Sequence, residues 1–324
     1  MLILNEQLIQ SIYKIEDAIQ DVEAMLVAIH EGRVENPHRT VLNVPERNGS
    51  VLYMPSSDGT SMAATKIVSI FPGNSSADLP TTQGAILLTE LKTGKHISLL
   101  SASYLTRLRT GALSAISARH LARPDSQVLT VIGTGGMAFE QVLGIVNVLP
   151  ILDIYLINRS IEKTYTFSEK LREAGISAKI HTGVDRIEAV AQSDVICCAT
   201  RSTEEVFDAD YIKAGTHIIG VGSYLPEMRE IPLDAIEKAA LIYADDYEGM
   251  KAEAGEFIDA ERRGKWSFEQ LSGTLTELHV NPVERGVEDI TIFKSVGAAH
   301  FDLAVAKGVF EKAKGMNEGE EIFL

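Results

Sequence analysis

A glycine-rich turn that can hold a phosphate is the first chemical signal in this sequence. Residues 133–138 read Gly-Thr-Gly-Gly-Met-Ala and fit the pattern G-x-G-x-x-A. Gly133 permits a tight turn, Gly135 lets backbone N–H groups approach a pyrophosphate, and the small Ala138 lets the next helix pack on the strand. An ordinary glycine-rich strand–helix turn is the alternative. The residues assigned here to a cofactor are Gly133, Gly135, Gly136 and Met137.

The segments around this turn favour nucleotide binding. An apolar, β-branched run at 128–132 precedes it and is typical of a buried strand. A helical pattern follows, and a second apolar strand is predicted at 152–157. Strand, glycine turn, helix and strand together form the context that the dinucleotide fingerprint needs, with the helix N-terminus facing the phosphates.

The residues after the second strand predict which nucleotide binds. NAD-selective folds usually carry Asp or Glu there to bind the ribose 2′-hydroxyl. Here the residues are Asn158, Arg159 and Ser160, so no carboxylate repels a 2′-phosphate and Arg159 can pair with one. We predict that all three contact the cofactor, and that NADP(H) is preferred with NAD(H) possible. A solvated loop cation is the alternative for Arg159.

The overall composition is typical of a two-domain protein that binds small molecules. The chain has 324 residues, 45% of them hydrophobic, which is enough for a core in each of two domains. The formal net charge of −15 argues against a nucleic-acid binder, because phosphate contacts need clustered Lys and Arg. The eight histidines show no metal-ligand spacing, so we expect no metal site.

The lack of a recognisable targeting signal and the placement of the two cysteines predict a cytoplasmic protein. The first ten residues lack the basic region and apolar core of a signal peptide, and no 18-residue apolar run exists to span a membrane. Cys197 and Cys198 are adjacent in an apolar run, and neighbouring side chains of a strand point to opposite faces. We expect buried thiols and no disulfide, which suits a reducing compartment.

Two hydrophobic patterns divide the chain into an α/β fold with two domains. Before residue 124, a helix at 14–30 is followed by antiparallel strands, and Asn48-Gly49 predicts a two-residue hairpin turn. Beyond it, strands and helices alternate and predict a parallel, doubly wound sheet. We predict an α+β domain with an antiparallel sheet at 1–124 and 297–324, and a Rossmann domain at 125–296. The antiparallel strands are predicted at 39–45, 50–54, 63–70, 85–91 and 96–100.

The carboxyl ends of the parallel strands predict further cofactor contacts, because ligands of such sheets bind beyond those ends. Strands predicted at 194–199 and 217–221 place Thr200, Arg201, Gly222, Ser223 and Tyr224 there. Small residues are dense in the helix predicted at 103–121, so another backbone or a ligand can come close to it.

Six segments spread over nearly the whole chain carry a resemblance to a known family. They are MAATKIVSIFPGN (62–74), LPTTQG (79–84), LTRLRTGALSAISARHLA (105–122), the glycine turn at 133–138, GVGSYLPEMREIP (220–232) and FKSVGAAHFDLAVAKGVFEKA (293–313). Together they resemble the ornithine cyclodeaminase/mu-crystallin family, whose members act at an α-carbon next to a carboxylate. The resemblance implies that the first domain binds substrate and forms a homodimer through its antiparallel sheet, while the middle domain holds a nicotinamide nucleotide.

The resemblance also implies roles for single residues. Arg39, Lys66 and Arg109 match the cations that hold the substrate carboxylate, and we assign catalysis to Lys66 and Arg109. Asn158 stands where NAD-using members carry Asp, which favours NADP(H). The residues implied at the cofactor are Thr81, Arg109 and Ser295. The alternatives are a surface cation for Arg39 and an ion-pair partner on a helix face for Arg109.

One departure from the family separates a reductase from a cyclodeaminase. Cyclodeaminases carry an Asp after the glycine that matches Gly222, and it serves as base or activates water. Here Tyr224 aligns with that Asp, and the next carboxylate is Glu227. Without the acid, amine oxidation loses its proton acceptor, whereas a protonated imine is already electrophilic. We assign Tyr224 to substrate binding, with packing as the alternative.

The predicted activity is therefore NAD(P)H-dependent reduction of a cyclic imino acid, foremost Δ1-pyrroline-2-carboxylate to L-proline. A bidentate pair with Arg109, supported by Arg39, fixes the orientation of the substrate carboxylate. Lys66 binds the second carboxylate oxygen or donates a proton, since desolvation beside two Arg lowers the pKa of a lysine. The alternatives are ornithine cyclodeamination, an alanine-type dehydrogenase and a non-enzymatic ligand-binding protein.

Overall fold

The structure, a computed structural model, describes residues 1–77 and 79–323. The chain divides into two compact units. The first comprises Met1–Arg109 and Ala298–Leu324, and the second Thr110–Gly297. Leu324, in the predicted first domain, lies outside the described residues. The predicted domain bounds, 1–124 with 297–324 and 125–296, stay a prediction.

Strands and helices cover much of both units. The strands are β1 (Leu2–Leu4), β2 (Thr40–Val44), β3 (Gly49–Ser57), β4 (Met62–Ile70), β5 (Thr82–Glu90), β6 (His96–Ser101), β7 (Val128–Ile132), β8 (Asp153–Ile157), β9 (Lys179–His181), β10 (Val195–Cys198), β11 (His217–Gly220), β12 (Leu241–Ala244), β13 (Gly273–Thr274), β14 (Thr291–Lys294) and β15 (Glu320–Glu321). The helices are α1 (Glu6–Ile12), α2 (Ile15–His30), α3 (Ser103–Leu121), α4 (Ala138–Val148), α5 (Ile161–Glu173), α6 (Arg186–Gln192), α7 (Leu233–Lys238), α8 (Tyr247–Glu253), α9 (Gly255–Arg262), α10 (Leu275–Val280) and α11 (Ala299–Met316). Within the described ranges, no helix has the length and apolar character to cross a membrane.

The first unit is built on a sheet in the order β15-β1-β6-β5-β4-β3-β2. The predicted antiparallel pairing is confirmed from β2 to β6. At the far end β1 pairs parallel with β6, and α1 precedes α2, so the first unit has a second leading helix that was not predicted. The strand β1 and the helix α1 are too short to show a periodic hydrophobic pattern in the sequence. Asn5 caps the start of α1, where its side chain accepts a hydrogen bond from Leu8 N.

The hairpin between β2 and β3 differs from the predicted two-residue turn. Val44 pairs with Gly49, so four residues connect the strands. Pro45–Arg47 forms a 3-10 turn, and Asn48 then takes the left-handed conformation with φ +46°. Proline starts such a turn readily because its φ is fixed and it needs no N–H partner. The Asn-Gly signal marked the right place and the wrong loop length.

The helix α11 closes the first unit by packing against α2 and β4. The helix predicted at 14–30 is found as α2, and its residues Ile15, Val22 and Leu26 are buried. On α11 the residues Ala299 and Asp302 are buried, and Ala299 packs on Leu52 and Met54 of β3. This packing brings the side chain at 302 to the sheet strand that carries Lys66.

The second unit has the parallel, doubly wound sheet that the sequence predicts. Its order is β13-β12-β14-β11-β10-β7-β8-β9, with every pair parallel. From β7 the chain runs outward through β8 and β9, and it then returns to β10 on the other side of β7. The carboxyl ends of β7 and β10 therefore flank the point where the direction reverses, which is where such sheets bind ligands.

Small residues let α3 and α4 touch through their backbones, as their density in the sequence predicts. A Cβ atom on Gly111 would lie 2.3 Å from the Glu140 carbonyl oxygen, and one on Gly144 would lie 2.3 Å from the Gly111 carbonyl oxygen. The contact holds the helix that follows the glycine turn tightly within the second unit.

Candidate active site

The glycine turn after β7 has the geometry that a pyrophosphate needs. Gly133 has φ +94°, and its Cβ atom would lie 2.7 Å from the Ala199 carbonyl oxygen, so only glycine fits. Gly135 and Gly136 are exposed, with open space where Cβ atoms would lie. Met137 is the N-cap of α4, so the helix begins directly behind the turn. Backbone N–H groups at such a helix start attract anions, and the turn fits a dinucleotide.

The three residues predicted to select the nucleotide lie together after β8. Asn158 Nδ2 donates to the Ser160 carbonyl oxygen over 3.1 Å, and Arg159 is exposed. Ser160 Oγ donates to Glu162 Oε2 at 2.6 Å, which lowers the pKa of that carboxyl. Glu162, in the first turn of α5, is a carboxylate that was not predicted near this end.

A buried carboxylate that was not predicted joins three of the expected cofactor residues. Glu230 Oε1 accepts hydrogen bonds from Thr200 N at 2.5 Å and Thr200 Oγ1 at 2.8 Å. Its Oε2 accepts from Gly222 N at 2.7 Å and Ser223 N at 3.0 Å. The side chain of Glu230 therefore connects the residues predicted to contact the cofactor at the carboxyl ends of β10 and β11.

Ser223 belongs to a second buried contact at the same place. Lys294 Nζ lies 2.9 Å from Glu256 Oε1 and donates to the Ser223 carbonyl oxygen at 2.8 Å. Ser223 Oγ donates to Glu256 Oε1 at 2.9 Å and accepts from Lys294. The N, Oγ and O atoms of Ser223 all bind protein groups in this way, and its contact with a cofactor stays a prediction.

The remaining predicted contacts are scattered over separate elements. Ser295, after β14, is buried and donates to Asp245 Oδ2 at 2.6 Å. Thr81 precedes β5, and its carbonyl oxygen accepts from Phe71 N at 2.8 Å. Tyr224 is half-buried and packs against the apolar core of the second unit, in line with the packing alternative.

Asp302 brings Lys66 and Arg109 together in the first unit. Lys66 Nζ lies 2.7 Å from Asp302 Oδ2, and Arg109 Nε lies 3.4 Å from Asp302 Oδ1. All three side chains are buried. Thr106 Oγ1 lies 3.5 Å from both Lys66 Nζ and Asp302 Oδ1. Two buried cations thus share one carboxylate, and a carboxylate ligand would balance the second positive charge.

The electrostatics of this cluster suit proton transfer by Lys66. Burial lowers its pKa to about 8, with the charges of Arg109 and Arg39 acting in the same direction and Asp302 against them. Arg39, half-buried before β2, is therefore close enough to act on Lys66. Burial alone would raise the pKa of Asp302, but its two cations hold that pKa below the usual value. A lysine that titrates near neutral pH can donate a proton and recover it.

Comparison with known proteins shows which family this chain belongs to. The model of the ornithine cyclodeaminase/mu-crystallin family matches residues 1–317. The chain belongs to the ornithine cyclodeaminase/mu-crystallin family. The resemblance stated from the sequence motifs is thereby confirmed.

Three known proteins match this chain over almost their full length. A Delta(1)-pyrroline-2-carboxylate reductase of Bacillus cereus is 32% identical over 327 residues, covering 99% of each chain. The structure of Thermococcus litoralis Delta(1)-pyrroline-2-carboxylate reductase in complex with NADH and L-proline is 30% identical with a TM-score of 0.93, covering 99% of this chain and 100% of that one. An archaeal alanine dehydrogenase dimer with bound NAD is 31% identical with a TM-score of 0.92, covering 100% of this chain and 99% of that one.

This member of the ornithine cyclodeaminase/mu-crystallin family has a further buried group beside its basic cluster. His300, two residues before Asp302, has no hydrogen-bond partner on either ring nitrogen among residues 1–77 and 79–323. Burial lowers its pKa to about 3, with the charge of Asp302 acting against this shift and that of Arg109 in the same direction, so the imidazole is neutral. Asp302 was not predicted as a site residue, although the sequence carries a signal for it. It is an acid within the apolar run of α11, and it follows Ala299 by three residues, which places both on one side of the helix.

Proposed function

We propose that this protein is an NAD(P)H-dependent oxidoreductase that reduces cyclic imino acids, with Δ1-pyrroline-2-carboxylate to L-proline as its main reaction. The observation that carries the proposal is the buried cluster of Lys66, Arg109 and Asp302. It offers buried cations to a substrate with one carboxylate. Support comes from the similarity, over the whole chain, to reductases of this substrate.

The chain's own residues bind the substrate and supply its proton. NAD(P)H, when bound, would supply the hydride for the imine carbon. Arg109 and Arg39 hold the carboxylate, and a bidentate guanidinium fixes the direction of the ring as well as its charge. Lys66 Nζ donates a proton to the ring nitrogen, which makes the C=N carbon electrophilic. Asp302 keeps Lys66 in place and favours its protonated form.

For the nucleotide we propose that NADP(H) is preferred and NAD(H) is also used. The residues for the pyrophosphate are Gly133, Gly135, Gly136 and Met137, with Thr81, Arg109, Thr200, Gly222, Ser223 and Ser295 as further contacts. Arg159 pairs with the 2′-phosphate, and neither Asn158 nor Ser160 repels it, whereas the Glu162 carboxylate bound by Ser160 Oγ opposes it. Two relatives were solved with NADH or NAD, which supports a nicotinamide nucleotide. The proposed preference for NADP(H) rests on Arg159 alone.

The experiment that tests the function is consumption of NADPH and NADH by the purified protein with Δ1-pyrroline-2-carboxylate. We expect L-proline as product, a lower KM for NADPH than for NADH, and no ammonia from L-ornithine with NAD. Ammonia and proline from ornithine would overturn the proposal, and the missing acid at Tyr224 would then be replaced by another base. Equal KM values would remove only the NADP(H) preference.

One observation favours a second candidate, an alanine-type dehydrogenase. The archaeal alanine dehydrogenase is as similar to this chain in structure as the pyrroline-2-carboxylate reductase is. Its substrate pair, pyruvate with ammonia, would form an imine that also carries one carboxylate. Oxidation of NADH with pyruvate and ammonia, run beside the assay above, separates the two. A higher kcat/KM for pyruvate than for the cyclic imine would favour the dehydrogenase.

We propose a homodimer through the outer face of the sheet in the first unit. Leu42, Tyr53 and Ile67 keep 52%, 37% and 41% of their surface exposed. They point away from the face of Leu52 and Met54, which is buried, because alternate residues of a strand face opposite sides. A second copy would cover such an apolar face, and the alanine dehydrogenase relative is a dimer.

Ile67→Glu should convert this dimer into monomers. In a two-fold interface each copy would bury the new carboxylate, so we expect the dimer Kd to rise by about a hundredfold or more. Sedimentation velocity over a range of concentrations measures this change. Val27→Glu is the matched control, since Val27 is an exposed apolar residue of α2 with 40% of its surface exposed. An unchanged Kd for Ile67→Glu would contradict this interface.

A cytoplasmic location is also proposed. The cysteines Cys197 and Cys198 are free thiols, which persist in a reducing compartment. Detection of the protein outside the cytoplasmic fraction of its cells would contradict it.

A further inference from the structure

Glu230 accepts four hydrogen bonds in a place where solvent cannot reach it. Its side chain is fully buried. One oxygen binds the N and Oγ1 atoms of Thr200 beyond β10, and the other binds the N atoms of Gly222 and Ser223 beyond β11. Three of the four partners are backbone N–H groups, which can only donate, and they lie at both oxygens, so both oxygens must accept. A carboxylate is the side-chain group that meets this demand.

These strand ends also touch the glycine turn of the nucleotide site. A Cβ atom on Gly133 would lie 2.7 Å from Thr200 Cγ2, so the methyl group of Thr200 packs against that glycine. A Cβ atom on Gly222 would lie 2.1 Å from the Thr200 carbonyl oxygen. The ends of β7, β10 and β11 therefore meet without spare room, at the reversal point of the sheet.

The Lys294–Glu256 pair holds Ser223 from the opposite side. Lys294 is fully buried at the end of β14, and its ammonium group binds both Glu256 and the Ser223 carbonyl oxygen. The loop beyond β11 is thus fixed by Glu230 at its N–H groups and by Lys294 at its carbonyl group. Such complete pairing makes the loop rigid before any ligand arrives.

We propose that Glu230 is a positioning residue for the nicotinamide nucleotide: it sets the ends of β10 and β11 against the turn at Gly133, so that the cofactor binds a preformed edge. This inference rests on the proposed function. We call the four hydrogen bonds to Glu230 the clamp. When the strand ends are already ordered, binding of the cofactor costs less conformational entropy, so loss of the clamp weakens cofactor affinity. The cluster of Lys66, Arg109 and Asp302 in the first unit is left unchanged.

Glu230→Gln tests the clamp, because the amide nitrogen would face N–H groups and leave them without an acceptor. We expect the Kd for NADPH, measured by nucleotide fluorescence, to rise about tenfold or more. The KM for NADPH should rise in parallel, whereas kcat at saturating NADPH and the KM for the imino acid should change less than about threefold. Glu227→Gln, an exposed carboxamide variant of the same segment, is the matched control with unchanged values.

Thr200→Val provides a second test that keeps the shape of the side chain and its methyl group. It removes one of the four hydrogen bonds, so the Kd for NADPH should rise about threefold. If Glu230→Gln fails to fold, Glu230→Asp decides, because it keeps the charge and is too short to reach Thr200, Gly222 and Ser223 together; we expect the same rise in the Kd. A folded variant of either kind with the wild-type Kd would overturn the clamp. Wild-type protein that binds neither NADPH nor NADH would overturn the proposed function together with the clamp.

Discussion

Lys66→Met is expected to lower kcat for imine reduction by about a thousandfold, since general acids contribute roughly 10²–10⁴-fold. Lys66 Nζ is the buried group with a pKa of about 8, beside the cations predicted to hold the substrate. Met has a similar length without a charge or a proton. Stopped-flow measurement of NADPH oxidation at saturating substrate gives kcat, and the Kd for NADPH should stay unchanged.

The melting temperature separates catalysis from folding for this variant. Lys66→Met leaves Asp302 paired with Arg109, so one buried cation still balances one buried carboxylate, and we expect the variant to fold. Thermal unfolding of the wild type and the variant measures this. A folded Lys66→Met variant with the wild-type kcat would show that Lys66 has only a structural role.

The proton on Lys66 also predicts how the activity of the wild-type protein depends on pH. The donating form of Lys66 is present below its pKa and is lost as the pH rises, so kcat/KM for the imino acid should fall as the pH passes through about 8. The residual activity of Lys66→Arg should lack this fall, because guanidinium keeps its proton. A fall that persists in Lys66→Arg belongs to the substrate or to another group.

Arg109→Lys should raise the KM for the imino acid by about a hundredfold, because truncating a buried, hydrogen-bonded charge partner costs roughly 2–5 kcal/mol. The variant keeps a positive charge beside Asp302, so the net charge of the cluster is unchanged and the fold is retained. It loses the planar pair of N–H donors that orients a carboxylate. Steady-state kinetics with varied imino acid and saturating NADPH measure the effect.

Arg107→Lys is the control for this variant on the same helix. Arg107 lies two residues earlier in α3, pairs with Glu6 at 3.1 Å and has 26% of its side chain exposed. Its replacement should leave the kinetics unchanged. If Arg109→Lys reduces the imino acid at the wild-type rate and KM, Arg109 has no role in catalysis. A rise in the Kd for NADPH would instead favour its predicted contact with the cofactor.

Periodic patterns and backbone demands could be predicted from the sequence. The apolar run of β7 and the glycine at 133 act locally, since a strand and a left-handed turn depend on neighbouring residues. The same holds for α3, predicted at 103–121 and found at Ser103–Leu121. Short elements such as α1 and the real length of the hairpin at Pro45–Arg47 carried too few residues to give a pattern.

The partners of the charged residues could not be predicted, because they come together only in three dimensions. Asp302 binds Lys66 from 236 positions away in the chain, and Glu230 binds Thr200 from 30 positions away. Family resemblance pointed to the cations and said nothing of the carboxylates that hold them. A buried acid inside an apolar segment, as at Asp302, was the one local sign of such a contact.

The two thiols of β10 give the protein an intrinsic chemical probe of its own opening. Cys197 and Cys198 are fully buried in a central strand, and burial raises the pKa of both thiols. Their side chains lie on opposite faces of the sheet. A thiol reagent therefore modifies only molecules in which this strand has come apart from its covering helices, and the modification rate counts those events. A ligand that binds the closed form slows the reaction in proportion to its occupancy, without any label being added.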